Sequence, residues 1–288
     1  MTDPSRESHP ECIMENDVAH LEVGEGAQAR RIAVRQRAGR APGIVWLGGF
    51  MSDMQGTKAR ALDAWAAEHG HGIVRFDYAG HGESSGAFAD GTIGSWLEDA
   101  LAVFMTACRG PQILVGSSMG GWMALLLARA LKRRATPCDA SIAGMVLIAP
   151  AVDFTEELMW KRFPPEVKRE LETTGRFERP TDYDTGPHVI TRRLIEEGRD
   201  HLLLGDLIET GCPVRILQGV QDPDVPWQHA SALVARLAQD DVVLTLIKDG
   251  DHRLSRPEDI SRILGAVAEM VDSVTAAASH DRNTPAAG

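Results

Sequence analysis

The chain has 288 residues, of which 43% are hydrophobic and 25% are charged, a balance typical of a globular protein with a sizeable core. Its net charge of −11 at pH 7 argues against nucleic acid or an anionic membrane surface as a partner. No run of about 18 apolar residues occurs, so the sequence predicts no membrane span.

The N-terminal residues 1–18 are polar and carry several acids. They lack the apolar core of a signal peptide and the arginine-rich character of a transit peptide, so we expect a flexible extension on a cytoplasmic protein. The cysteines are scattered without a CxxC pair, which is typical of free thiols in a reducing compartment and indicates no zinc site. They are Cys12, Cys108, Cys138 and Cys212.

Short apolar runs alternate with segments of helical period along most of the chain. This alternation predicts an α/β fold, with a mostly parallel central sheet and helices on both faces. A hairpin is predicted at residues 19–23 and 30–36. Buried strands are predicted at 44–47, 73–76, 112–115, 143–149, 214–218 and 242–247. Helices are predicted at 57–68, 93–107, 122–131, 227–237 and 256–274.

The alternation breaks over residues 151–210, which are charged and hold apolar residues at helical spacing. We interpret this segment as a small helical cap inserted into the core. It divides the core into a first part, 19–150, and a second part, 211–275. Residues 276–288 are expected to form a flexible, solvated tail.

A G-x-S-x-G motif at residues 116–120 places Ser118 between a predicted strand and a predicted helix. Strand, sharp turn and helix are the context that a nucleophile elbow requires. A second match at residues 82–86 has no strand directly before it and no helix start after it. We therefore interpret Ser118 as the nucleophile.

A serine nucleophile needs a base, and the base needs an acid that orients it. His252 follows the last predicted strand and comes last in the order Ser…Asp…His of this architecture, so we predict that it is the base. Asp222 follows the preceding strand and is favoured as the acid, with Asp224 as the alternative. His81, in a glycine-rich loop, is expected to be structural.

Two backbone N–H groups are needed to stabilise the oxyanion that forms on the substrate. One is predicted to be that of Met119, the residue after the nucleophile. The other is predicted in the loop after strand 44–47, at Phe50, with Met51 as the alternative. The insertion is expected to cover Ser118 and to line an acyl pocket, although packing against the core is an equal alternative for each residue. The predicted pocket residues are Met51, Phe154, Leu158 and Trp160.

With these residues placed, the chain resembles the α/β-hydrolase superfamily over about residues 19–275. Five motifs carry a closer likeness: 49–59 (GFMSDMQGTKA), 75–80 (RFDYAG), 111–122 (PQILVGSSMGGW), 225–227 (VPW) and 251–253 (DHR). In these the chain resembles the mitochondrial abhydrolase-domain serine hydrolases that act as palmitoyl-protein thioesterases and acyl-glucuronide esterases.

The resemblance implies a triad of Ser118, Asp222 and His252, and hydrolysis of small-molecule acyl esters or thioesters without a cofactor or a metal. Because the N-terminus lacks transit-peptide character, we expect a bacterial-type relative in the cytoplasm. A non-catalytic ligand-binding module on the same scaffold is the alternative function. The choice between ester and thioester stays open at this point.

Overall fold

The computed structural model describes residues 18–134, 138–179, 188–238 and 241–283. Almost all of the predicted N-terminal extension therefore lies outside the described residues. The strands in the described part of the chain are β1 (Ala19–Val23), β2 (Arg30–Arg37), β3 (Arg40–Leu47), β4 (His71–Phe76), β5 (Gly110–Ser117), β6 (Ala140–Ile148), β7 (Arg176–Arg179), β8 (His188–Thr191), β9 (Val214–Gly219) and β10 (Val242–Ile247). The α-helices there are α1 (Thr57–His69), α2 (Ile93–Ala107), α3 (Met119–Arg133), α4 (Pro165–Thr174), α5 (Arg192–Gly198), α6 (Trp227–Val234) and α7 (Pro257–Asn283).

The central sheet has eight strands in the order β1-β2-β4-β3-β5-β6-β9-β10. The predicted hairpin is confirmed: β1 pairs antiparallel with β2, and Leu21 faces Ile32. β2 also pairs antiparallel with β4. From β4 onward all neighbouring strands are parallel, so their carboxyl ends lie along one edge of the sheet. Ligands of such sheets bind at that edge.

The central strands are buried on both faces, as their continuous apolar runs predict. Successive residues such as Ile44 and Val45 of β3 are at most 1% exposed. One face packs against α1 and α7, through residues such as Leu62 and Val267. The other face packs against α2 and α3, through residues such as Phe104. This three-layer arrangement confirms the predicted fold class.

The segment between β6 and β9 contains helices, as expected, and also a two-stranded antiparallel sheet of β7 and β8. Only helices were predicted there. The two strands are four residues each and mostly polar, which is too short for an alternating pattern to be recognised. Phe177 faces the buried Ile190 across the pair, and its ring lies 6.0 Å from that of Phe163.

Two carboxylates help to hold the inserted segment in place. The buried Asp153 carboxylate accepts hydrogen bonds from the backbone N–H groups of Leu203 (2.9 Å) and Leu204 (2.8 Å), which joins the start of the segment to its later part. The Glu197 carboxylate of α5 accepts the N–H of Gly94 at 2.9 Å, in the first turn of α2. A carboxylate at a helix N-terminus is favoured by the helix dipole, so this contact ties the insertion to the core.

The last helix is longer than predicted. We expected it to end near Val274, but α7 continues to Asn283, so residues 276–283 of the predicted tail are helical. Three alanines at 276–278 favour helix, and no glycine or proline occurs between Val274 and Pro285. None of the helices in the described part of the chain combines the length and apolar character that a bilayer crossing requires.

The cysteines that the structure describes carry free thiols. Burial raises the pKa of the Cys108 thiol to about 12 and that of the Cys212 thiol to about 11. A thiol is a poor nucleophile when its pKa is high, so neither of these two side chains is a candidate nucleophile. Cys12 lies outside the described residues.

Candidate active site

Ser118 lies at the sharp turn between β5 and α3, with φ 54° and ψ −116°. A non-glycine residue with positive φ is strained, and such strain is found at functional sites. The surrounding backbone fixes the turn. The Ser118 N–H donates to the carbonyl oxygen of Ile148 (2.8 Å), while the Ser118 carbonyl accepts from Gly121 (2.9 Å) and Ala151 (3.0 Å). The turn therefore has the geometry of a nucleophile elbow.

The two glycines of the motif are required because backbone segments approach each other closely. A Cβ atom at Gly116 would overlap the carbonyl oxygen of Gly120. A Cβ atom at Gly120 would overlap the carbonyl oxygen of Leu47, at the end of β3. The elbow and the loop after β3 are thus in direct contact, and neither can move away without disturbing the sheet.

Substitution of Gly120 by alanine is expected to destabilise the fold by about 3 kcal/mol, because the new methyl group overlaps fixed backbone. The matched control is Gly265→Ala in α7, where nothing lies within 4 Å of the added Cβ. That control should stabilise the protein by about 0.5–1 kcal/mol, the usual gain for alanine over glycine in a helix. Urea unfolding measures the free energy of unfolding of both variants. Equal values would contradict the close approach of Gly120 to the Leu47 carbonyl oxygen.

The structure brings the predicted base and acid together with Ser118. His252 follows β10, and its Nε2 lies 3.1 Å from the Ser118 Oγ. Its Nδ1 lies 2.8 Å from Oδ2 of Asp222, which follows β9. Because an ionised carboxylate can only accept, Nδ1 carries the proton of that bond. Nε2 is then left to accept the hydroxyl proton of Ser118.

Asp222 is held by hydrogen bonds from its own loop. Its Oδ1 accepts the backbone N–H groups of Asp224 (2.9 Å) and Val225 (2.8 Å). Its Oδ2 also accepts from Nε2 of Gln218 at 3.1 Å. With a side chain that is 0% exposed, Asp222 is fixed in position beneath His252. Asp224, the alternative acid, contributes its backbone N–H to this network.

Potential metal-ligand atoms of Asp222, Asp224 and His252 lie within 4.8 Å of one another. The hydrogen bond from the His252 Nδ1–H to Asp222 accounts for the closeness of these two residues. Both Asp222 oxygens also accept N–H groups from the protein. The cluster therefore has the bonding of an acid–base pair.

The loop between β3 and α1, residues 48–56, runs alongside the elbow. A Cβ atom at Gly49 would lie 3.3 Å from the Ser117 carbonyl oxygen and 3.4 Å from the Ser118 Cβ. The Met51 N–H donates to Nε2 of His81 at 3.2 Å, which favours Phe50 over Met51 as the second oxyanion donor. Met119 is the first residue of α3, a position whose N–H has no partner within the helix.

Phe154, one of the predicted pocket residues in the insertion, contacts the loop of residues 48–56, which we call the oxyanion loop. It is buried, and its ring centroid is 5.5 Å from that of Phe50 and 5.6 Å from that of Trp122. Phe50 also contacts Phe88 and Trp96, at 4.8 and 5.9 Å. The sequence did not place Trp96 and Trp122 at the site, because an aromatic residue on an amphipathic helix is indistinguishable from ordinary core. Phe88 lies in a short turn after β4, where no periodicity indicates its neighbours.

The other two predicted pocket residues of the insertion have different surroundings. Leu158 is half-buried and packs against the main hydrophobic cluster. Trp160 is half-buried, and its ring lies under two cations: Lys168 Nζ is 5.3 Å and the Arg199 guanidinium 5.2 Å from the centroid. Such cation–π contacts stabilise the insertion, so for Trp160 the structure provides a packing role.

The second G-x-S-x-G match, at residues 82–86, has a structural explanation. The Ser84 hydroxyl donates to the carbonyl oxygen of Asp77 (2.6 Å) and accepts the N–H of Ala33 in β2 (2.8 Å). The first bond closes the loop after β4 on itself, and the second joins that loop to β2. The hydroxyl is therefore engaged by backbone groups, unlike that of Ser118, which faces an imidazole.

A mostly parallel sheet and a serine elbow at its carboxyl edge define an α/β-hydrolase. The model of the Alpha/beta hydrolase family matches residues 41–263, and the chain belongs to this family. It is accordingly a hydrolase.

The mitochondrial palmitoyl-protein thioesterase ABHD10 of Mus musculus is 35% identical over 258 residues, which are 89% of this chain and 84% of that protein. The crystal structure of a putative hydrolase from Agrobacterium vitis S4 is 51% identical, with a TM-score of 0.86, and covers 88% of this chain and 98% of its own. The structure of alpha/beta hydrolase domain-containing protein 10 from mouse is 33% identical, with a TM-score of 0.79, over 90% of this chain and 100% of its own. The predicted resemblance is thereby confirmed.

Proposed function

We propose that the protein hydrolyses carboxylic esters or thioesters of acyl groups through an acyl-enzyme formed on Ser118. The observation that carries this proposal is the hydrogen-bonded series from Ser118 Oγ through His252 to Asp222, with distances of 3.1 and 2.8 Å. The name of the mouse relative, a palmitoyl-protein thioesterase, supports an acyl thioester among the substrates.

In the first half of the proposed reaction, His252 Nε2 takes the hydroxyl proton as Ser118 Oγ attacks the carbonyl carbon of the substrate. The oxyanion that forms accepts hydrogen bonds from the N–H groups of Met119 and Phe50. Asp222 stabilises the imidazolium and holds its tautomer. His252 then gives the proton to the leaving alcohol or thiol, which leaves the acyl group on Ser118.

In the second half, His252 takes a proton from a water molecule that attacks the acyl-enzyme. The same N–H groups stabilise the second oxyanion, and the carboxylic acid is released as His252 returns the proton to Ser118. Side chains and backbone of this chain supply every group of the mechanism, so we propose no cofactor or metal. Phe154, packed on Phe50, is proposed to contact the acyl group. Cytoplasmic location stays a prediction.

A fluorophosphonate probe tests this proposal directly, because it forms a covalent bond only with an activated serine. We expect stoichiometric labelling, with the added mass on the peptide that contains Ser118. The variant Ser84→Ala, in the second G-x-S-x-G match, should be labelled like the wild type. Absence of labelling in the folded protein would contradict the proposal and favour a ligand-binding module on this scaffold.

A further inference from the structure

A buried histidine outside the triad contacts the oxyanion loop. His81 lies in the loop after β4 and is 4% exposed. Its Nε2 accepts the Met51 N–H at 3.2 Å, and its Nδ1 lies 3.1 Å from the carbonyl oxygen of Ala79. Because a carbonyl can only accept, the proton is on Nδ1, and Nε2 is the acceptor for Met51.

The imidazole is fixed in this acceptor state. Burial lowers the pKa of His81 to about 4, so the ring is neutral near pH 7 and Nε2 keeps its lone pair. Aromatic rings surround it edge-on, with centroids at 5.1 Å for Phe88, 5.3 Å for Trp96 and 5.8 Å for Tyr78. The ring therefore cannot rotate away from Met51 without disturbing this packing.

The residue that His81 holds is strained. Met51 has φ 57°, in the left-handed region that costs a non-glycine residue about 1 kcal/mol or more. The same loop is held at a second point, where Asp77 Oδ1 accepts the N–H of Met54 at 2.6 Å. The segment after β4 thus sets the conformation of the loop that carries Phe50.

We propose that His81 is a positioning residue for the oxyanion hole: its neutral imidazole holds the Met51 peptide, and thereby aims the Phe50 N–H at the developing oxyanion. This inference rests on the proposed function. The oxyanion exists only in the transition state and the tetrahedral intermediate, so a displaced Phe50 N–H lowers kcat while KM changes little.

Two substitutions of His81 separate positioning from packing. His81→Phe keeps an aromatic ring but removes the acceptor, and Ala79 keeps a donor in the Trp96 indole N–H at 3.1 Å. We expect kcat on a p-nitrophenyl ester to fall about 30-fold or more, with KM within about 3-fold. His81→Gln restores an acceptor oxygen at similar reach, so its kcat should stay within about 5-fold of the wild type. Affinity for a trifluoromethyl ketone, which forms a tetrahedral adduct on serine, should follow kcat/KM across the variants.

The matched control is His71→Phe. His71 is another buried histidine of β4, 2% exposed, whose Nδ1 contacts the Pro42 carbonyl oxygen at 3.0 Å and whose ring stacks on Trp65. His71 lies away from the oxyanion loop. The kcat of His71→Phe should therefore equal that of the wild type, whatever the effect of the substitution on stability.

A wild-type kcat in His81→Phe would overturn the proposal. The proposal would also be overturned if His81→Gln, at an unchanged melting temperature, lost as much kcat as is expected of His81→Phe. This second measurement decides the question if His81→Phe does not fold. Failure of the proposed function itself has a different signature: Ser118→Ala, measured beside these variants, would then retain activity.

Discussion

Replacing Ser118 by alanine is expected to lower kcat for p-nitrophenyl acyl esters at least about 10⁴-fold. The substitution removes the atom that attacks the carbonyl, while His252 and the oxyanion donors stay in place. Residual hydrolysis would come from water activated at the same site. Steady-state kinetics of the wild type and of Ser118→Ala checks this. With esters and thioesters of graded acyl length as substrates, the same measurement would also show which leaving group and chain length the enzyme prefers.

The fold should survive this change. The Ser118 side chain contacts His252 through one hydrogen bond, whereas the strained turn is held by backbone bonds that alanine keeps. The melting temperature should therefore stay within about 4 °C of the wild type, the shift that corresponds to about 1 kcal/mol or less in a domain of this size. Hydrolysis at the wild-type rate by the folded variant would refute the acyl-enzyme mechanism.

Asp222→Asn is expected to lower kcat about 10³- to 10⁴-fold, although the side chain keeps its size. Two backbone N–H groups contact Oδ1 of Asp222, so the amide oxygen of asparagine should stay there. The amide NH₂ would then face Gln218 Nε2 and His252 Nδ1. With the wild-type tautomer of His252 all three groups are hydrogen-bond donors, so no acceptor would be left among them. The imidazole is expected to respond by carrying its proton on Nε2, a tautomer that cannot accept the proton of Ser118.

The matched control is Asp224→Asn, two residues along the same loop. Its kcat should stay within about 3-fold of the wild type, because this substitution keeps the Asp224 backbone N–H that donates to Asp222. Steady-state kinetics at pH 7 measures both variants, and urea unfolding shows whether each is folded. The reverse result, with the larger loss in Asp224→Asn, would assign the acid to Asp224.

The sequence predicted the parts of the fold that local patterns determine. Buried parallel strands such as β3 and β5 appear in the sequence as short, continuous apolar runs bounded by glycine. A run of this length and composition predicts a buried strand. The neighbours of Ser118 followed from one physical rule. The carboxyl ends of parallel strands share one edge, so residues directly after β9 and β10 must lie near the elbow. Asp222 and His252 were found in this way.

What the sequence did not predict depends on contacts between distant segments. The β7–β8 pair consists of short, mostly polar strands, and its apolar partners Phe177 and Ile190 face each other across the pair while the Phe177 ring packs near Phe163 of a distant segment. The contact between His81 and Met51 joins two loops, and a glycine-rich loop offers no periodicity from which to infer it. Trp160 was expected at the acyl pocket, but only the structure shows the two cations above its ring.

The connectivity of the triad has a consequence for how activity arises during synthesis and refolding. Ser118 and His252 are 134 positions apart in the sequence and form a hydrogen bond, and His252 follows β10, the outermost parallel strand of the sheet. Contacts between such distant segments form late, because the entropy of closing a long loop must be overcome first. Compact intermediates that lack β10 would contain the nucleophile without its base. Catalytic activity would thus appear only after β10 has joined the sheet, and would report this late step of folding.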